Sequence, residues 1–247
     1  MNCQLTLDWR FQKKCFKNNI VVVFSRNMKN QIEELVNTKY FVKVIYPGTK
    51  YVVNYKKKER NQKCSLVYVG RLGVEKNVDF LIESYALCRN KNESVLTIVG
   101  DGGEMDNLKG LVSKLHLDNH VYFAGKQYDL EKYYSNSDYL IMPTIYEAFG
   151  FVIIEAQTFG IPVIGFKNNG KNIRTAVDEV VSNGDNGFVC NNYSKYDFAT
   201  VMDKAIETYF TDNYSGMVEK SFVNAKNNYD WMLFLERLIC FSSEKRE

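Results

Sequence analysis

From Ser65 onward the chain alternates short, almost wholly apolar runs with amphipathic stretches at helical spacing, and few architectures accept that alternation. The runs are SLVYVG (65–70), VLTIVG (95–100), HVYFAG (120–125), DYLIMP (138–143) and IPVIGF (161–166). A strand that is apolar at nearly every position has both faces covered, which is the condition of a parallel sheet with helices on each side. Between the runs, Val78, Leu81, Ile82 and Tyr85 recur at helical spacing in residues 77–89, and Met105, Leu108, Leu111, Val112 and Leu115 in residues 104–116. Each strand and helix together take roughly thirty residues, enough for a right-handed crossover. The pattern predicts an α/β fold built on a doubly wound parallel sheet, whose ligands sit beyond the carboxyl ends of the strands. Three of the runs end there in glycine: Gly70, Gly100 and Gly125.

The flanks differ. Before the main alternation come a strand NIVVVF, a helix around NMKNQIEELV and a strand KVIYP closed by Pro47 and Gly48. The lysine-rich run VNYKKKERNQKC reads as a linker or surface excursion. Residues 195–242 read as helical throughout, with Trp231, Leu233, Phe234 and Leu238 forming a last apolar face. The expected organisation is a small N-terminal α/β unit over 1–48, a main domain over 49–225 and a C-terminal helical tail over 226–247.

Composition excludes several classes. With 247 residues, 45% hydrophobic, the chain can bury a core without disulfides or metals. Its 32 basic and 29 acidic residues leave a net charge of +3, too small to argue for nucleic acid. Arg10, Lys13, Lys14 and Lys17 form a local basic cluster, read as a solvated helix face, with a membrane-surface or partner patch as the alternative. The six cysteines are scattered, without a C-x-x-C pair, as in a chain with reduced thiols in the cytoplasm, possible contact with the inner membrane face included. His116 and His120, the only histidines, fit no nucleophilic triad and read as surface or capping residues. No stretch approaches the ~20 apolar residues that span a bilayer.

Chemistry concentrates in three places. In GRLGVEKNVDF (70–80), a flexible Gly70, then Arg71, then Lys76 near a helix start bring two cations and free backbone N–H groups together, which suits a diphosphate. A surface loop with solvated cations is the bland alternative. In VGDGGEMDNLKG (99–110), the glycines allow tight turning and close ligand approach, whereas Asp101 or Glu104 would serve as helix caps. This run, with Gly102, is neither a G-x-G-x-x-G fingerprint nor a Walker A loop. Helix entry is the simpler role.

The third segment, PTIYEAFGFVIIEAQTFGIPVIGF (143–166), carries Glu147 in a loop ahead of a helix beginning near Gly150. Glu155 follows eight residues later, ~12 Å along a helical rise, about the span from a sugar across a diphosphate to a ribose. The N–H groups of Phe149, Gly150 and Phe151 would point outward at the helix start and hold phosphate oxygens, Gly150 leaving room for their approach. Glu147 as a cap and Glu155 as a solvated carboxylate are the structural alternatives. Glu155 lies between Ile154 and Ala156, however, and a carboxylate in apolar company usually has a partner or a purpose. Ribose hydroxyls would serve.

In order and spacing, GRL…EK, VGDGG, the E-x7-E stretch with GIPVI, and NGDNGFV resemble the C-terminal half of glycosyltransferase family 4, of the GT-B fold, from about residue 20 to the end. The resemblance implies a Rossmann-like domain that binds a nucleotide sugar. It implies that Arg71 and Lys76 neutralise the leaving diphosphate, that Glu147 contacts the transferred sugar and that Glu155 holds the ribose. The backbone from Phe149 to Phe151 would complete the phosphate cradle, and residues near Gly125 and Lys126 would border the base. It also implies transfer with retention to a polysaccharide or lipid-linked acceptor, with no cofactor beyond the donor. No D-x-D triplet occurs, in keeping with that family's metal-independent chemistry.

Two departures stand out. After the fifth run the family shows Gly-Gly and Pro-Glu, where this chain has NNGKNIRTAV with a single Gly170. A complete family member also has an N-terminal acceptor domain, of which residues 18–46 match only the last strand–helix–strand. The alternatives are a catalytic half that works with a partner chain, a non-catalytic nucleotide-sugar-binding subunit, or an unrelated doubly wound protein such as an epimerase.

Overall fold

A computed structural model describes residues 21–36, 42–49, 51 and 59–243. The basic cluster Arg10–Lys17, Cys3, Cys15, the start of the first strand and most of the lysine-rich run lie outside the described residues. The N-terminal unit consists of β1 (Val21–Val23), α1 (Arg26–Val36) and β2 (Val42–Val44), with β1 and β2 paired in parallel. Ser25 starts α1 as its cap: its hydroxyl accepts from the Met28 N–H at 3.0 Å.

The main unit runs β3 (Cys64–Val69), α2 (Val78–Leu87), β4 (Ser94–Val99), α3 (Met105–Lys114), β5 (Val121–Gly125), α4 (Glu131–Ser135) and β6 (Tyr139–Met142). It continues with α5 (Phe151–Thr158), β7 (Val163–Phe166), α6 (Val177–Val180), β8 (Gly187–Cys190) and α7 (Lys195–Tyr209). The strands form one parallel sheet in the order β5-β4-β3-β6-β7-β8. Chain order runs outward from β3 to β5, then returns to β6 and runs outward the other way. The topological switch therefore falls between β3 and β6, where loops leave in opposite directions and open a crevice.

Both faces of the sheet are covered, which is why β6 and β7 are buried at every position. Leu66, Tyr68, Ile98, Tyr139, Ile141, Ile164 and Phe166 point to one core with α2 and α7. The intervening Val67, Val69, Val99, Leu140, Met142 and Val163 point to the other, with α5 and α6. This alternation, period two along each strand, divides a continuous apolar run between two cores.

The doubly wound expectation holds, with two differences. The sheet has six strands where five runs were read, because β8 lies in NGDNGFV and begins at a glycine. The tail is three helices: α7, α8 (Asn213–Asn228) and α9 (Trp231–Ser243), broken at 210–212 and 229–230. Asp230 makes the second break by accepting from the Met232 and Leu233 N–H groups as an N-terminal cap. Among the described residues no helix is long and apolar enough to cross a membrane. Of the described cysteines, Cys64, Cys88 and Cys190 are buried, and burial pushes the Cys190 thiol up.

The N-terminal unit is fastened to the main one. The Glu179 carboxylate, from α6, accepts from the N–H groups of Arg26 and Asn27 at 2.8 Å each and from the Tyr46 hydroxyl at 3.0 Å. It thereby satisfies two of the N–H groups that a helix start leaves free, and its charge suits that end of α1. Phe24 packs on Phe151 and Phe234, and Tyr46 on Phe149 and Tyr229.

Candidate functional site

The crevice between the carboxyl ends of β3 and β6 is bridged by side chains. After β3 the chain turns through Gly70–Gly73 into a short 3-10 turn, Val74–Lys76, and Asn77 takes a left-handed conformation (φ 61°) before α2. Asn77 Nδ2 donates across the crevice to the Pro143 carbonyl at 2.9 Å. Beside it, Lys76 Nζ donates to Glu147 Oε2 at 2.8 Å, each side chain about a quarter exposed. Two groups 71 residues apart in sequence thus meet at the switch point. The pair keeps some contact with water, so an incoming anion can compete with Glu147 for Lys76.

Glu147 sits in the loop ahead of the helix, as expected: Tyr146 bridges Arg174, and Glu147 N–H donates to the Arg174 carbonyl at 3.0 Å. The helical-rise spacing of Glu147 and Glu155 therefore does not apply, because only Glu155 lies on α5. Glu147 also caps nothing. Its carbonyl accepts from Asn27 Nδ2 at 3.3 Å, and the Ala148 carbonyl accepts from Ser25 Oγ at 2.5 Å.

α5 begins at Phe151 behind Gly150, as expected. The N–H groups of Phe149, Gly150 and Phe151 have no acceptor among the described residues. They form the free donor cluster at a helix start that favours anions. Gly150 has a different reason from the one expected. Its φ is +81°, and a Cβ there would meet the Met142 and Ile153 side chains in the core rather than stand in a ligand's way.

The remaining expected residues divide. Arg71 is exposed and pairs with Glu75 on its own turn, apart from Lys76. Glu155 is not simply solvated: it accepts from the buried Tyr134 hydroxyl at 2.9 Å, and burial followed by the Glu155 charge drives that phenol's pKa upward. Asp101 accepts from the Gly102 N–H, and neither Asp101 nor Glu104 makes a side-chain cap to α3. Gly102 is packed against a neighbour: its Cβ would overlap the Leu72 carbonyl. Lys126 stands past the edge strand β5, over the Tyr128 ring at 5.0 Å. His116 ends α3 with φ 56°, while His120 is partly buried with Nδ1 unpaired in the described structure.

Residue-type reasoning missed four contributors. Tyr68 fills the space a Gly70 side chain would need and donates to the Arg71 carbonyl at 3.0 Å. Burial, then the Glu147 and Glu75 charges, push its pKa up and keep it a neutral donor. Asn77 is the second, visible in the sequence only as an asparagine at a helix start. Ser25 and Asn27, more than 110 residues from the loop they touch, leave no local signal.

Residues 54–221, more than half of the chain, match the family described as glycosyl transferases group 1. The chain belongs to that family. Among its relatives, the N-acetyl-alpha-D-glucosaminyl L-malate synthase of Bacillus anthracis is 28% identical over 200 residues, 77% of this chain and 50% of that protein. The GtfA subunit of the UDP-N-acetylglucosamine–peptide N-acetylglucosaminyltransferase of Streptococcus parasanguinis is 28% identical over 193 residues, 73% of this chain and 37% of that one. The chain thus spans about half the length, or less, of these relatives. Its fold is that of the GT-B structures: Anabaena HepE in complex with UDP superposes with a TM-score of 0.80 at 21% identity, covering 97% of this chain and 69% of that one. Pneumococcal GtfA with UDP and GlcNAc gives 0.78 at 19% identity, covering 96% and 47%.

Proposed function

We propose that this glycosyltransferase binds a nucleoside diphosphate sugar in the crevice between β3 and β6. As a retaining, metal-independent member of glycosyltransferase family 4, it transfers the sugar to a polysaccharide or lipid-linked acceptor. The observation that carries this reading is the Lys76–Glu147 pair standing beside the unclaimed amides of Phe149, Gly150 and Phe151. As the bond from the anomeric carbon to the diphosphate breaks, Lys76 and these amides take up the growing negative charge on the leaving oxygen. Arg71 adds to them by leaving an exposed pair with Glu75 that is worth at most ~1 kcal/mol. Glu147, released from Lys76, orients the sugar and faces the positive charge developing at its anomeric carbon. The acceptor oxygen bonds that carbon on the face the diphosphate leaves, and its proton passes to the departing phosphate. Glu155 and the loop bearing Lys126 hold ribose and base, and the reading needs no cofactor beyond the donor.

On this reading residues 49–225 form the donor domain. Residues 18–46 correspond to the last strand–helix–strand of an acceptor domain, and the tail from 226 crosses back to them. The Thr49–Asp230 bridge and the Phe24–Phe234 contact support that crossing. The HepE and GtfA complexes make uridine the first base to try. Calorimetry with uridine, guanosine and adenosine diphosphates, followed by donor hydrolysis, tests the claim. Glu147→Ala should lower turnover ~100-fold or more with diphosphate affinity kept, while Arg71→Ala weakens both. Unchanged turnover in either variant would sink the assignment.

A second reading, a nucleotide-sugar-binding subunit that works with a partner chain, is favoured by the GtfA relatives, which are named as subunits. Diphosphate binding without hydrolysis or transfer, in the presence of candidate acceptors, selects it.

A further inference from the structure

The loop that carries Glu147 is not held by its own domain alone. Two consecutive carbonyls, those of Glu147 and Ala148, receive side-chain donors from the start of α1: Asn27 Nδ2 at 3.3 Å and Ser25 Oγ at 2.5 Å. Both donors are buried, Ser25 fully and Asn27 to 4% exposure. The same two residues are fixed from behind. Ser25 Oγ accepts from Met28 N–H, and Asn27 N–H donates to Glu179 Oε1. Asn27 Oδ1 accepts from Asn168 Nδ2, tying in the loop after β7 as well. Two turns along the same face of α1, Glu34 pairs with Arg174 at 3.2 Å, and the Arg174 carbonyl is the one that receives the Glu147 N–H. The backbone of Glu147 is therefore gripped at its N–H by residue 174 and at its carbonyl by residue 27.

We propose that Ser25 and Asn27 are positioning residues for Glu147, so that the N-terminal unit completes the sugar end of the donor site. This rests on the donor reading for its substrate, but the grip itself can be measured without a ligand.

Two measurements on the full chain test it. In hydrogen exchange, Ser25→Ala should speed the hydrogen-bonded amides that flank the loop, those of Glu147 and Ile153, about tenfold or more while those of β3 and β4 keep their rates. In calorimetry, UDP affinity should stay within about twofold, while the extra affinity conferred by the sugar of a UDP-sugar falls severalfold; Ser25→Thr, which keeps the hydroxyl, restores both. Because Ser25 also caps α1, Asn27→Leu is the second variant and should give the same pattern. Unchanged loop exchange in both variants, or equal losses of UDP and UDP-sugar affinity, overturns the proposal. A wild-type chain that binds no nucleoside diphosphate, with loop exchange still raised in both variants, upholds the grip and overturns the donor reading instead.

Discussion

Glu155 shows what one carboxylate among apolar neighbours requires. Its side chain sits on α5 between buried Ile154 and Ala156, and the Tyr134 hydroxyl supplies the partner that burial demands. Removing that hydroxyl in Tyr134→Phe leaves a partly buried charge with one donor fewer, at a cost of ~1–2 kcal/mol. Urea denaturation should show the loss, and an unchanged midpoint would mean that water replaces the phenol. The types of Lys76, Glu147 and Glu155 were legible because cations, glycines and carboxylates clustered after strand ends. Their pairing was not. Nothing within eight residues of Glu147 announces Lys76, and nothing in the sequence around Tyr134 singles it out as the partner of Glu155. Contacts that span 71 or 120 residues are set by the sheet order, which composition does not encode.

At the scale of elements, one carboxylate holds the first turn of α1 by its backbone. Glu179 takes the first two N–H groups of the helix and the Tyr46 hydroxyl together. Glu179→Ala should loosen α1 and cost ~2 kcal/mol, the upper range for a lost cap, with faster amide exchange in α1 than in α7. Tyr46 adds a pH dependence. Burial, then the Glu179 charge, raise its pKa from 10.0 to about 12. The folded state holds this proton more tightly than the unfolded one, so its stabilisation is complete below pH 10 and is lost as pH rises from 10 towards 12. The wild-type chain should lose more stability across that window than Tyr46→Phe; equal losses in denaturation at pH 9 and pH 12 would contradict the assignment. Elements were legible where the period was strong. β3, β4 and β6 announced themselves through doubly buried runs, whereas β8 is four residues long and starts at a glycine. The tail read as continuous because neither of its breaks contains proline or glycine.

For the whole molecule, every strand of the large sheet points the same way, so all the loops that follow strands gather on one rim. The loops after β3 and β4 extend the sheet past its last strand residues: Gly70 N–H donates to Val99, Leu72 N–H to Asp101, and Glu104 N–H to Leu72. Gly100 makes this possible, with φ +148° and a missing Cβ that would overlap the Gly70 carbonyl. Gly100→Ala should therefore cost about 4 kcal/mol or more, in the range reserved for a forced backbone clash. A thermal melt within a few degrees of wild type would show that the two loops can part. If they cannot, an insertion or deletion in either loop displaces the other, and the pair must vary together or not at all. The loops after β6 and β7 are coupled likewise, since Arg174 N–H donates to the Ile145 carbonyl and the Arg174 carbonyl accepts from Glu147 N–H, so lineages of this chain are then free to reshape the rim chiefly through the loop after β5.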